Sequence, residues 1–202
     1  MRRLGLVIYI GLFMFLVPAG CQETGKTDNQ TYPVFQNKKD FARALAGTWR
    51  AEGSFWEIDF APDGTISSAV IPLGNVRIRP NQTTEVKGWL GEPGIFQAGS
   101  CPVYLEPQSR QISIQIPIEK VYARFATASL DGTCQYFIEG EMAKNNQALF
   151  ATAFTVLKLD VIANEPNSAT GQSAGEKLGV LDTNPNQPEE AAAQLIFTRV
   201  ER

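Results

Sequence analysis

The sequence predicts an all-β fold: an up-and-down antiparallel β-barrel with a short N-terminal helix, or alternatively a β-sandwich. From about residue 47 onward, apolar and polar residues alternate with a period of two, which is typical of strands with one buried and one solvated face. Turn signals such as "PDGT" and "NN" separate these runs. Consecutive hairpins without long crossovers favour the barrel, because a meander of this length must close or form a sandwich to protect its edges.

Residues 1–20 have the pattern of a secretory signal peptide. Arg2 and Arg3 precede the uncharged run Leu4–Val17, and small residues follow it. The run is too short for a membrane-spanning helix, which needs about 20 apolar residues. We therefore expect an exported protein.

The segment "PAGC" resembles the bacterial lipobox, in which cleavage leaves a lipid-modified cysteine as the first residue. Here that residue is Cys21, and Pro18 stands where the motif usually has an aliphatic residue. The resemblance implies a lipid anchor in a membrane of the bacterial cell envelope, with the polar segment 21–35 as a tether. The alternative is ordinary secretory cleavage near Ala19, which leaves Cys21 as a free thiol.

The tether is followed by one short helical pattern. Asn37 can cap a helix over Lys38–Ala46, whose apolar residues share one face, and Gly47 follows as a stop signal. The predicted domain, residues 36–202, begins here.

The strand patterns follow the helix. In "FWEIDF", Trp56, Ile58 and Phe60 alternate with two acidic residues. The four isoleucines of "RQISIQIPI" also fall on one face. A turn is predicted at "DGT", which begins at Asp131.

The alternation of apolar and polar residues is interrupted near the end of the chain. Residues 163–193 are rich in Asn, Pro, Ser, Gly and Glu, and only "LGVL" among them is apolar. A loop of this length is either functional or disordered, and we expect disorder. The strand "QLIFTRV" ends the barrel.

Two cysteines remain if Cys21 carries a lipid. In an exported chain, Cys101 and Cys134 favour one disulfide, which would close a loop of about 30 residues and stabilise the fold by roughly 3–4 kcal/mol. A shared metal is the competing interpretation, but the chain has no histidine and no CxxC spacing. The sequence thus predicts a disulfide and no metal.

Composition argues against nucleic acid and against most catalytic chemistry. Removal of residues 1–20 leaves 16 basic against 21 acidic residues, a net charge of about −5 with no basic cluster. The absence of histidine excludes Ser-His and Cys-His arrangements. We expect a protein that is not an enzyme and needs no cofactor.

Two carboxylate pairs remain as catalytic candidates. Glu57 and Asp59 share one strand face, and Glu139 and Glu141 share another. Each pair alternates with large apolar residues, so the sequence predicts a solvated outer face. If the faces were inverted, the carboxylates would point into the barrel.

The first predicted strand carries "GTW", Gly47–Trp49, directly after the helix. This position resembles the Gly-x-Trp signature of the calycin group, which includes lipocalins, fatty-acid-binding proteins and bacterial relatives. The resemblance implies that Trp49 plugs the closed end of the barrel and that a basic residue of the last strand, here Arg199, packs across it. The alternative is that Trp49 simply packs in a β-core.

Two functions are expected from this architecture. The first is an envelope-anchored, lipocalin-like lipoprotein that binds a small, partly apolar ligand inside the barrel. The alternative is an interaction or inhibitor module that acts on another envelope protein.

Overall fold

A computed structural model describes residues 34–87, 93–125, 127–164, 177–182 and 192–201. These residues form helix α1 (Lys38–Leu45), one 3₁₀ turn (Leu73–Asn75) and twelve strands. The strands are β1 (Gly47–Ala51), β2 (Glu57–Phe60), β3 (Ile66–Ile71), β4 (Val76–Ile78), β5 (Thr83–Lys87), β6 (Pro93–Ala98), β7 (Val103–Glu106), β8 (Gln111–Arg124), β9 (Ala128–Met142), β10 (Ala148–Ala163), β11 (Lys177–Asp182) and β12 (Ala193–Arg199).

The strands form one antiparallel sheet that nearly closes into a barrel. Its order is β4-β3-β2-β1-β12-β10-β9-β8-β6-β5, with β7 also pairing with β8 and β11 with β10. The first and last strands are neighbours, with Trp49 opposite Arg199. At the seam between β4 and β5, the Thr84 hydroxyl donates to the Arg77 carbonyl over 3.1 Å. The predicted all-β, barrel-like fold is confirmed.

The apolar and polar residues that alternate in the sequence lie on the inner and outer faces of this sheet, respectively. The side chains of Trp56, Ile58 and Phe60 are buried, and so are the four isoleucines of β8 at positions 112, 114, 116 and 118. The residues between them are exposed or partly exposed. Removal of these apolar side chains from water supplies the main driving force for closing the sheet.

Helix α1 forms as the capping pattern predicts. The Asn37 side chain accepts a hydrogen bond from the Asp40 backbone N–H over 3.0 Å, which satisfies one free donor of the first turn. Phe41, Ala42 and Leu45 are buried. In the described part of the chain, no helix has the length and hydrophobicity needed to cross a bilayer.

The three strands β8, β9 and β10 are longer than predicted, with 14, 15 and 16 residues. The turn predicted at Asp131 is wrong, since Asp131 and Gly132 lie within β9 and pair with both neighbouring strands. The register of β8 against β9 shifts between Ile118 and Val121. A β-bulge of this kind accommodates local irregularity without ending a strand.

The segment 163–193 contains a strand where the sequence predicts a disordered loop. Lys177–Asp182 pairs with β10 from Lys158 to Ile162, and the apolar "LGVL" lies within it. The prediction is wrong for these six residues, because β10 extends beyond β12 and leaves an edge that β11 occupies. Residues 165–176 and 183–191 lie outside the described residues.

Candidate functional site

Helix α1 packs against the first strand of the sheet at Trp49. This side chain is fully buried, and its indole N–H donates to the Leu45 carbonyl over 2.7 Å. The guanidinium carbon of Arg199 lies 4.9 Å from the Trp49 ring centroid. A cation over an indole ring is worth about 0.5–2 kcal/mol.

Arg199 also caps the C-terminal end of α1. Its Nη1 donates to the Ala46 carbonyl over 3.0 Å, and its Nη2 donates to the Ala44 carbonyl. A cation at this end of a helix satisfies carbonyls that have no partner within the helix. Gly47 has a φ of +119°, and a Cβ there would lie 3.8 Å from the Arg199 guanidinium. The structure therefore brings Gly47, Trp49 and Arg199 together.

A second arginine, Arg110, was not predicted from the sequence. It contacts Phe35 in the segment that precedes helix α1. Arg110 is buried in the turn between β7 and β8 with a φ of +59°. Its Nε donates to the Met142 carbonyl over 2.9 Å, and its Nη2 donates to the Ala143 carbonyl over 2.6 Å. Its guanidinium lies 4.6 Å from the centroid of Phe35, whose ring stacks on Phe41 at 4.8 Å. No local sequence signal could have identified Arg110, because its partners are more than 30 residues away.

Large apolar side chains of the described residues point into the barrel and are buried there. The largest completely buried residues come from α1 and from strands all around the sheet, and they include four isoleucines of the two long strands β8 and β9. They are Trp49, Phe41, Phe197, Leu45, Ile58, Ile71, Ile78, Ile114, Ile116, Ile118, Ile138 and Met142. A barrel of this size can either fill with side chains or hold one small ligand. The burial of these twelve side chains favours a barrel that is filled by side chains.

The disulfide predicted between Cys101 and Cys134 is not formed, and both are buried free thiols. Cys101 lies between β6 and β7, on one side of β8, whereas Cys134 in β9 pairs with Ile118 on the other side. Two strand spacings separate their backbones by about 10 Å, beyond the roughly 7 Å that a disulfide can span. Burial raises the pKa of each thiol to about 11, so both are protonated at neutral pH.

The two carboxylate pairs occupy different environments. Glu139 and Glu141 are exposed on the outer face of β9, as predicted. Glu57 and Asp59 also face outward, but their side chains are only 12% and 19% exposed. Glu57 and Asp59 therefore lie on the outer face as predicted, but a polar cluster partly covers them.

Arginines and hydroxyls form that cluster across β1 to β4. Glu57 accepts a hydrogen bond from Arg50 over 2.6 Å and another from Arg77, and these bonds lower the pKa of Glu57. Asp59 accepts from the Thr48 hydroxyl over 2.5 Å and from Arg77 over 2.8 Å.

The charge state of Asp59 follows from this environment. Burial raises the pKa of Asp59, but hydrogen bonds from Ser68 and Thr48 outweigh it, with help from a neighbouring arginine, so the pKa lies below its ordinary value. Both carboxylates of the cluster are therefore ionised and fully engaged at neutral pH. The hydrogen bonds of Glu57 and Asp59 link strands β1 to β4. Carboxylates that stay ionised and hydrogen-bonded in this way are poorly suited to proton transfer.

Two surface grooves lie on either side of β7. The first, about 760 Å³, runs along Cys101–Leu105, and its opposite wall is formed by α1 and the turn Pro62–Thr65. The second, about 670 Å³, lies over the outer faces of β7, β8 and β9 and includes Glu106, Glu139 and Glu141. Both volumes are in the range of ligand-binding clefts. The ridge between them is Tyr104, which is 61% exposed.

Several sequence-based expectations lie outside the described residues. They include the signal peptide 1–20, the lipid site Cys21 and the part of the tether that precedes Val34. Among the residues that the structure describes, no three His, Cys, Asp or Glu side chains are placed to hold a metal ion.

Comparisons with protein-family models, with curated proteins and with solved structures find no match to this chain.

Proposed function

We propose that this protein is a non-catalytic, lipid-anchored binding module of the bacterial cell envelope, with lipocalin-like architecture, that contacts another envelope protein at the outside of its barrel. The observation that carries the proposal is the burial of large side chains in the interior of the barrel. Trp49, Phe197 and Ile138 are among the twelve large side chains that are completely buried there. A close-packed core leaves no room for a small-molecule ligand unless side chains are displaced.

The proposal replaces a ligand inside the barrel with a partner outside it. The grooves beside β7 open at the surface and against α1, and most of the residues that line them are exposed or partly exposed. Tyr104 stands between them as a large, exposed aromatic side chain. Tyrosine is enriched at protein interfaces, because it offers an apolar ring and a polar tip at low cost in conformational entropy.

The anchoring part of the proposal rests on the N-terminal sequence alone. The lipobox-like "PAGC" supports attachment through Cys21 to a membrane of the envelope. Attachment would restrict the domain to a thin layer above the bilayer and raise the effective concentration of membrane-bound partners.

Tyr104→Asp is the variant that tests this proposal. The full chain, its Tyr104→Asp variant and its Phe55→Asp variant are each used to retain proteins from a detergent extract of the envelope. Phe55 is the matched control, because it is an exposed aromatic residue (67%) that lines neither groove. We expect the wild type and Phe55→Asp to retain the same protein and Tyr104→Asp to lose it, because a charged, shorter side chain removes the central apolar contact.

Two results would overturn the proposal. One is retention of the same proteins by all three chains, and the other is that the wild type retains none. Thermal unfolding of the two variants should match that of the wild type, since exposed substitutions change the free energy of unfolding by only about 0.5 kcal/mol.

A further inference from the structure

Among the strands that the structure describes, β7 has one edge without a strand partner. In the described sheet it pairs with β8 alone. The Gln115 N–H donates to the Pro102 carbonyl over 3.1 Å, and hydrogen bonding alternates along an antiparallel pair. Tyr104 and Glu106 therefore direct their backbone groups toward β8, whereas the N–H and C=O groups of Val103 and Leu105 face away from it.

The free edge forms one wall of the 760 Å³ groove. Residues Cys101–Leu105 all line the groove, and five extended residues span about 17 Å. Its far wall is α1 with the turn Pro62–Thr65. A slot that follows an unpaired strand edge fits an extended peptide, which can satisfy alternate N–H and C=O groups as a new strand.

The charge on the far wall indicates which peptide would fit. Lys38, Lys39 and Arg43 of α1 all line the groove, whereas the whole chain has a net charge of −3. The acidic side chain in the same lining, Asp63, already accepts hydrogen bonds from the Thr65 N–H over 3.0 Å and from its hydroxyl over 2.7 Å. The groove is thus locally basic on an acidic protein.

We propose that β7 binds an extended, acidic segment of a partner protein, which adds to the sheet as a strand along Val103–Glu106. Backbone hydrogen bonds to Val103 and Leu105 would give affinity, and acidic side chains opposite α1 would give charge selectivity. This inference rests on the proposed function, since it specifies how the outer surface contacts its partner.

Synthetic peptides test the inference on the full chain. Probe E is an acetylated and amidated octapeptide that alternates valine and glutamate, and probe K has lysine in place of every glutamate. We expect saturable binding of probe E, with amide chemical-shift changes concentrated at Val103 and Leu105, and binding of probe K at least about tenfold weaker. Lys38→Glu with Lys39→Glu should reverse this preference.

Backbone substitutions separate strand addition from charge attraction. Val103→Pro removes an N–H that faces the groove and none that faces β8, so we expect it to weaken probe E while the thermal unfolding curve is retained. Two further versions of probe E carry N-methyl groups on odd or on even residues. Only one of the two should lose binding, because alternate N–H groups face β7.

The inference is overturned if probe E shows no saturable binding below about 1 mM, if probes E and K bind equally, or if both N-methylated probes bind as well as probe E. None of these results would alter retention of an envelope protein through Tyr104. The failure of this inference is therefore distinguishable from the failure of the proposed function.

Discussion

Replacement of Trp49 with alanine is expected to lower the free energy of unfolding by about 3–5 kcal/mol. The indole is completely buried, donates to the Leu45 carbonyl over 2.7 Å and lies beneath the Arg199 guanidinium. Removal of the indole leaves a cavity between the sheet and α1. It also removes the ring that Arg199 of the last strand contacts. Urea unfolding followed by far-ultraviolet circular dichroism measures the change.

Two variants divide this effect into its parts. Trp49→Phe retains an aromatic ring but loses the hydrogen bond to Leu45, so it should cost less than Trp49→Ala. Phe55→Ala is the surface control, because Phe55 is exposed, and it should change the free energy of unfolding by no more than about 0.5 kcal/mol. Equal stability of Trp49→Ala and Phe55→Ala would show that the contacts of Trp49 with Leu45 and Arg199 do not stabilise the fold.

The substitution Gly132→Ala is expected to cost about 2–4 kcal/mol, although it adds a single methyl group. Gly132 has a φ of +156° and lies in β9 between Val121 of β8 and Leu159 of β10. An added Cβ would collide with the carbonyl oxygen of Lys158 and would lie 3.0 Å from the Leu159 Cα. Because the obstacles are backbone atoms, β10 would have to move away from β9.

Gly179→Ala is the matched control for this prediction. Gly179 is also a strand glycine, in β11, but a Cβ there would meet no atom within 4 Å. We expect the free energy of unfolding of the Gly179→Ala variant to remain within about 0.5 kcal/mol of that of the wild type. If Gly132→Ala were as stable as Gly179→Ala, the close approach of β9 and β10 at the bulge would be contradicted.

The fold was predictable where local pattern and global structure agree. Trp56, Ile58 and Phe60 alternate with polar residues, and all three are buried as the period of two requires. Asn37 has the capping chemistry that begins a helix, and α1 begins directly after it. In such segments each local preference supports the same tertiary structure.

The errors occur where distant contacts override a local signal. The pair Asp131–Gly132 is typical of a tight turn, yet β8 and β10 hold it in the middle of a strand. The cysteine count favoured a disulfide, but counting residues does not reveal that β8 separates Cys101 from Cys134. Strand adjacency is a property of the folded sheet.

The candidate site was less predictable than the fold. Nothing in the sequence around Tyr104 shows that β7 ends its sheet on one side, because an edge is defined by the absence of a neighbouring strand. Lys38 and Lys39 read as ordinary solvated residues of a short helix. Their role as the wall of a groove follows only from the packing of α1 beside β7.

The central claim is that the barrel is filled by its own side chains and that binding takes place outside it. The most direct test is to extract the natively purified full chain with organic solvent and to identify, by mass spectrometry, any small molecule present in amounts comparable to the protein. Ile116→Trp serves as the comparison chain, because Ile116 is completely buried in the interior and the larger side chain would occupy any space there. The account predicts that no apolar compound is recovered from the wild type at that level. An apolar compound recovered in amounts comparable to the wild-type chain, and lost from a folded Ile116→Trp variant, would contradict it.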